Sequence, residues 1–189
     1  MLSQLRPGLV LFVFLTLLTG IAYPLAMTGG AQLLAPSLAN GSLVIDNNVV
    51  RGSELIGQNF TQDKYFWPRP SAAGQGYDAS ASSGANLGPT SKKLLDRIAA
   101  DAERVKAADG ATTLPPDAVT ASGSGLDPDI SPAYAHIQVG RVAKARNVPE
   151  DKVKALVEAQ VWWPILGVFG EPRVNVLALN RALDALPPG

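Results

Sequence analysis

From Leu9 to Met27 the chain reads LVLFVFLTLLTGIAYPLAM, a run that is apolar on every helical face. At roughly 1.5 Å rise per residue its length matches the hydrocarbon thickness of a bilayer. An amphipathic surface helix would carry Lys or Glu on its solvent side at every second turn, and no charge occurs between Arg6 and Asp46. The pattern predicts a transmembrane helix over about residues 8–30, inside an anchor segment 1–35. A cleaved signal sequence would have a shorter apolar core ending at a small-residue site, whereas Tyr23, Pro24 and Met27 extend this one. Gly20 and Pro24 lie within it, where a glycine allows a neighbouring helix close and a proline removes one backbone hydrogen bond.

Beyond the anchor the pattern changes to short elements, all assigned to one domain, 36–189. SLVIDNNVVRGS places two β-branched runs around Asp46-Asn47-Asn48 and predicts a hairpin. Gln62 to Pro89 has neither helical nor alternating periodicity, and its Gly, Ser, Ala and Pro content predicts a long loop. Tyr65, Phe66, Trp67 and Tyr77 predict that this loop is packed. Thr90 or Ser91 can cap a helix to about Ala107 with Leu94, Leu95, Ile98 and Val105 as its apolar stripe, ended by Asp109-Gly110. Pro115-Pro116 opens a turn-rich stretch, VTASGSGLDPDISP. Ser131-Pro132 starts a helix to about Arg146 with Ala135, Val139, Val142 and Ala143 on one side. Pro149 starts another, with Glu150 and Asp151 at its positive end and Val153, Leu156, Val157 and Val161 at helical spacing. Arg173 to Val176 reads as a short strand or turn, and Leu179, Leu183 and Leu186 as a last helix. The sum is an α+β class: one N-terminal transmembrane helix followed by one mixed helix and sheet domain.

Charge gives the direction of the span. Only Arg6 and the amino terminus precede it and the first charge after it is acidic, so the positive-inside rule predicts a cytoplasmic N-terminus and an extracytoplasmic domain. Setting Arg6 aside leaves 15 basic against 16 acidic residues, from totals of 16 each, a balance that argues against nucleic acid as a partner. The chain has no cysteine, so neither disulfides nor thiolate chemistry enter.

A phosphate-binding GxxxxGK[ST] loop and a GxGxxG turn are both missing, so no nucleotide site is readable. One histidine without cysteine excludes the usual zinc arrangements. His136, beside the apolar stripe of its helix, reads as a boundary residue. Ser122 or Ser124 could join His136 and Asp127 or Asp129 in a hydrolase, but no GxSxG elbow frames them, and Ser-Gly-Ser-Gly is more simply a turn. Ser122, Ser124, Asp127 and Asp129 also offer oxygen ligands for a cation, without EF-hand spacing. Glu171 and Arg173 could form an ion pair. A membrane-tethered hydrolase and a cation-binding module therefore stay open as function classes.

Four blocks are distinctive together: YFWPRPSA at 65–72, SGANLGPTS at 83–91, VTASGSGLDPDISP at 119–132 and GEPRVNVLALNRAL at 170–183. With the anchor, their order and spacing resemble the C subunit of the bacterial Kdp potassium-transporting ATPase across almost the whole chain. The stretch Gln160 to Phe169 departs from the Gly-Arg-containing version of many relatives, and Asp129 stands where a histidine is frequent.

The resemblance implies a single-pass accessory subunit of a high-affinity, ATP-driven potassium uptake complex in the bacterial inner membrane. Its partners would be a channel-like potassium-translocating subunit, a P-type ATPase subunit, a small peptide subunit and the lipid bilayer. It also implies support of assembly, of the ATPase subunit's ATP affinity, or of the outer potassium entrance. No catalytic, cofactor or metal residue is expected in this chain, with ATP and potassium handled by the complex. Arg69, Ser71, Asn86, Thr90, Ser122, Ser124, Asp127, Asp129, Glu171 and Arg173 are the candidate subunit-contact or ion-entrance residues, and Gly20 and Pro24 the candidate anchor-packing ones.

Overall fold

The computed structural model describes residues 2–46, 48–164 and 167–186. It divides into two compact units, Met1–Arg51 and Gly52–Gly189.

The first unit is dominated by one apolar helix, Leu5–Leu34, long enough to cross a membrane and extending past both ends of the expected span. It consists of α1 (Leu5–Leu17), a π-helical turn (Leu18–Ala22) and α2 (Tyr23–Leu34). None of its side chains is buried by protein, which is what an all-apolar surface shows when its solvent is lipid. Gly20 lies in the π turn and Pro24 is the second residue after it, so the backbone irregularity falls where those two residues predict one. The Thr19 hydroxyl donates to the Leu15 carbonyl at 2.7 Å and so satisfies a polar group at the same level. A single turn of helix, α3 (Pro36–Ala39), follows. The expected hairpin is present as β1 (Leu43–Asp46) paired with β2 (Val49–Ser53); Asn47 of its turn lies outside the described residues, and Asn48 has φ 65°.

The second unit packs α4 (Lys92–Asp109), α5 (Pro132–Arg146), α6 (Glu150–Ala159) and α7 (Val176–Asp184) with a small antiparallel sheet. That sheet has β5 (Arg173–Asn175) between β3 (Asp129–Ile130) and β4 (Val161–Trp162). Val174 faces Ile130 on one side and Val161 on the other, and it is fully buried while Arg173 points outward, the period-two pattern of a one-sided sheet. Val105, Tyr134, Val142, Val153, Val157, Leu179 and Leu183 complete one core. Each fully buried Val or Leu side chain there contributes about 1.5–3 kcal/mol.

Helix ends follow local chemistry. The Ser131 hydroxyl accepts from Tyr134 N–H at 3.0 Å with Pro132 in the first turn, and the Asn175 side chain accepts from Ala178 N–H at 3.0 Å. Gly110 closes α4 in the left-handed region, φ 67°.

Three expectations change. Leu95 is 57 % exposed, so the inner face of α4 passes instead through Leu94, Ile98 and the buried Val105. Val161 is a strand residue: α6 stops at Ala159, because Val161-Trp162-Trp163-Pro164 combines strand-forming side chains with a proline. Ser91 occupies the N-cap of α4, yet its side chain makes no capping bond.

The long loop is packed, as its aromatics predict, and two amide side chains explain how. Asn180 accepts from Phe66 N–H at 2.8 Å and donates to the Phe66 carbonyl at 3.0 Å. Gln138 accepts from Trp67 N–H at 2.7 Å and donates to the Trp67 carbonyl at 3.1 Å. Both amides are buried, and each substitutes for a neighbouring strand, so an irregular segment enters the core without orphaned backbone groups.

Candidate functional site

The clamp on Phe66 and Trp67 fixes the direction of the next residues, and Arg69 emerges beside the turn that precedes β3. Its Nη1 donates to Asp127 Oδ2 at 2.7 Å. Asp127 Oδ1 accepts from Asp129 N–H at 3.1 Å, a local bond that shapes the Asp127-Pro128-Asp129 turn. Asp129 Oδ2 lies 2.9 Å from Nε of Arg173 on the central strand. A row of two carboxylates flanked by guanidiniums, Arg69, Asp127, Asp129, Arg173, thus joins three of the four distinctive blocks.

This row runs along a groove of about 610 Å³, further lined by Asp117 and Glu171. On the other side of Arg69 and Asp127 lies a second hollow of about 620 Å³ lined by Ser122, Ser124 and Leu55. Four carboxylates against two guanidiniums make the first groove acidic. Burial raises the Asp129 carboxyl above its ordinary value of 3.8, against the pull of Arg173. Both ion pairs are partly exposed, so each contributes at most about 1 kcal/mol, and their role is to hold orientation.

Behind the row the loops lock together. The Ser71 hydroxyl donates to the Gly125 carbonyl at 2.6 Å and accepts from Tyr77 N–H at 2.8 Å. The Tyr77 hydroxyl donates to the Arg69 carbonyl, and burial pushes that phenol far up. Gly125 has φ 67°, and a Cβ there would stand 2.6 Å from the Ser83 carbonyl oxygen, so the turn requires glycine. Ser83 N–H donates to the Ser124 carbonyl at 3.0 Å, which ties in the remaining block.

The expected site residues therefore separate. Arg69, Asp127, Asp129, Glu171 and Arg173 share the acidic groove; Ser122 and Ser124 share the adjoining hollow with Arg69 and Asp127; Ser71 supports both from behind. Asn86, with φ 49°, and Thr90 are exposed and line neither. Arg173 pairs with Asp129 and not with Glu171, because β3 and β5 are adjacent strands. His136 lies 3.0 Å from Glu158 on α6, and among the described residues neither Ser122 nor Ser124 bonds to it, so the hydrolase triad is not assembled. No group of His, Asp and Glu suited to a metal occurs among the described residues.

Sequence reasoning missed Asp117, whose carboxylate accepts from Ser131 N–H at 2.7 Å and from its hydroxyl at 3.0 Å. It also missed the buried set Arg141, Asp109, Gln138 and Asn180. A signal existed for two of these: Gln138 and Asn180 occupy apolar-stripe positions of their helices, where a polar residue needs an internal partner.

One helix long and apolar enough to cross a membrane, joined to a small mixed helix and sheet domain with an ion-paired groove, is the plan of a single-span subunit. The family described as "KdpC: K+-transporting ATPase, c chain" matches residues 5–185, and the chain belongs to it. It is 59 % identical over 189 residues to the potassium-transporting ATPase KdpC subunit of Caulobacter vibrioides, covering 100 % of this chain and 96 % of the relative. It is also 56 % identical to that of Variovorax paradoxus, over 97 % of this chain and 96 % of the relative. With the one from Methylobacterium nodulans it shares 56 % identity over 98 % of both chains. The chain is thus a subunit of a potassium transport complex.

Proposed function

We propose that this chain is a non-catalytic subunit of a high-affinity potassium uptake complex, anchored with its N-terminus in the cytoplasm and its domain outside. In this reading the anchor packs against the channel-like potassium-translocating subunit, with the P-type ATPase and small peptide subunits in the same complex. The acidic groove along Arg69, Asp127, Asp129 and Arg173 faces the outer potassium entrance. The observation that carries the reading is the convergence of blocks far apart in sequence on one negatively biased groove, in a chain whose family match covers residues 5–185. A domain outside the membrane cannot reach a cytoplasmic nucleotide, so support of ATP affinity would be indirect, through subunit contacts.

Single cysteines test this cleanly, because the chain has none of its own. Asn86→Cys and Ser124→Cys should react with a membrane-impermeant maleimide in intact cells stripped of their outer membrane, and should crosslink to the potassium-translocating subunit. Labelling only after lysis would reverse the orientation. A chain lacking residues 1–35 that still co-purified stoichiometrically would refute the role of the anchor.

A further inference from the structure

Among the described residues from 52 onward, Leu95 is a large exposed apolar residue on α4, and Leu55 is another, bordering a hollow that Trp162 also lines. The others, Trp162 at the end of β4 and Trp163, Val168 and Phe169 between β4 and β5, are 63–75 % exposed. No charge occurs from Val161 to Gly170. Gly167 and Gly170 have φ 71° and 100°, and a Cβ on either would meet nothing within 4 Å, so both glycines border open space. Isolated exposed apolar residues are ordinary, but two tryptophans, a valine and a phenylalanine in one uncharged stretch need a partner surface.

The chemistry selects that surface. Indole and phenyl rings settle at the headgroup level of a bilayer, where one end of the side chain is apolar and the other wet. The same exposure marks Phe12 and Leu25, 68 % and 67 %, in the helix long and apolar enough to cross a membrane, and the peptide chain ties the domain to that helix. Arg173, paired with Trp162 across the sheet, holds its guanidinium 5.7 Å from the Trp162 ring, so a positive charge adjoins the apolar residues.

We infer that Trp162, Trp163, Val168 and Phe169 form a second membrane contact, their side chains entering the interfacial layer of a bilayer. The inference rests on the anchor lying in a bilayer and is independent of which side the domain occupies.

The test uses the full chain reconstituted in phosphatidylcholine vesicles containing lipid brominated near the headgroup end of its acyl chains. The protein has 3 tryptophans, and Trp67 is buried, so lipid quenching reports on Trp162 and Trp163. Bromolipid should quench the emission, and Trp162→Ser with Trp163→Ser should abolish the quenchable part while leaving the Trp67 signal. Unquenched emission from a chain that resists alkaline extraction would overturn the second contact and leave the anchor standing. Blue-shifted but unquenched emission would overturn it in favour of a protein surface. Release of the wild-type chain by alkali would remove both.

Discussion

The guanidinium carbon of Arg141 lies 3.8 Å from the centre of the Trp67 ring, with Nε donating to Asp109 at 2.7 Å and Nη1 to the carbonyls of Asp63 and Tyr65. One side chain on α5 thereby joins the end of α4 to the start of the long loop.

Arg141 and Asp109 have side chains 6 % and 0 % exposed, so removing one member strands the other. Arg141→Ala should destabilise the chain by about 3–5 kcal/mol, read from denaturant unfolding of the full chain in detergent. Arg141→Met with Asp109→Asn should lose clearly less. Equal losses would show that the stacking, rather than the charge, dominates.

Asn180→Leu keeps the heavy-atom count and branching of the side chain while removing both bonds to Phe66. Each stranded backbone group costs about 1–3 kcal/mol, so the loss of two should lie at about 2–6 kcal/mol. Trypsin should then cut after Lys64 faster than in the parent chain. An unchanged cleavage rate would show that the loop does not depend on this clamp.

Tyr134 is fully buried, its hydroxyl has no hydrogen-bond partner among the described residues, and burial pushes its ionisation up to about 12. Removing an unsatisfied group should help, so Tyr134→Phe should raise stability by up to about 1–3 kcal/mol. A lower unfolding midpoint would reveal a partner for the hydroxyl.

Asp129 binds its proton more tightly in the folded chain than the ordinary value of 3.8 allows, with burial as the largest cause. Its contribution to stability is therefore full below 3.8 and is lost as pH rises through the raised folded value. Asp129→Asn should remove that contribution, so the difference in unfolding midpoint between parent and variant should change with pH across this window. A difference independent of pH would contradict the raised carboxyl.

The anchor, the hairpin and the helices were legible because each is a local pattern: a charge-free run, β-branched residues around Asp46 and Asn48, apolar stripes with Ser131 or Gly110 at their ends. Val161 was misread because its spacing from Val157 suits a helix, whereas the fold answers to the strand-forming pair and proline that follow. The Arg173 partner was invisible for a different reason: Glu171 is near in sequence, while Asp129 becomes near only when β3 and β5 pair. Pairings of that kind carry no local signal.

The π turn at Leu18–Ala22 has its own geometric result. A residue inserted into a helix rotates everything after it by about 100°. A line of side chains running down one face of α1 is therefore out of phase with its continuation on α2, and a partner helix lying straight along the anchor would lose its contact face midway. Two neighbours, or one neighbour that bends, suit this geometry. A cysteine scan of the span should give two periodic faces with a break in phase at residues 18–23.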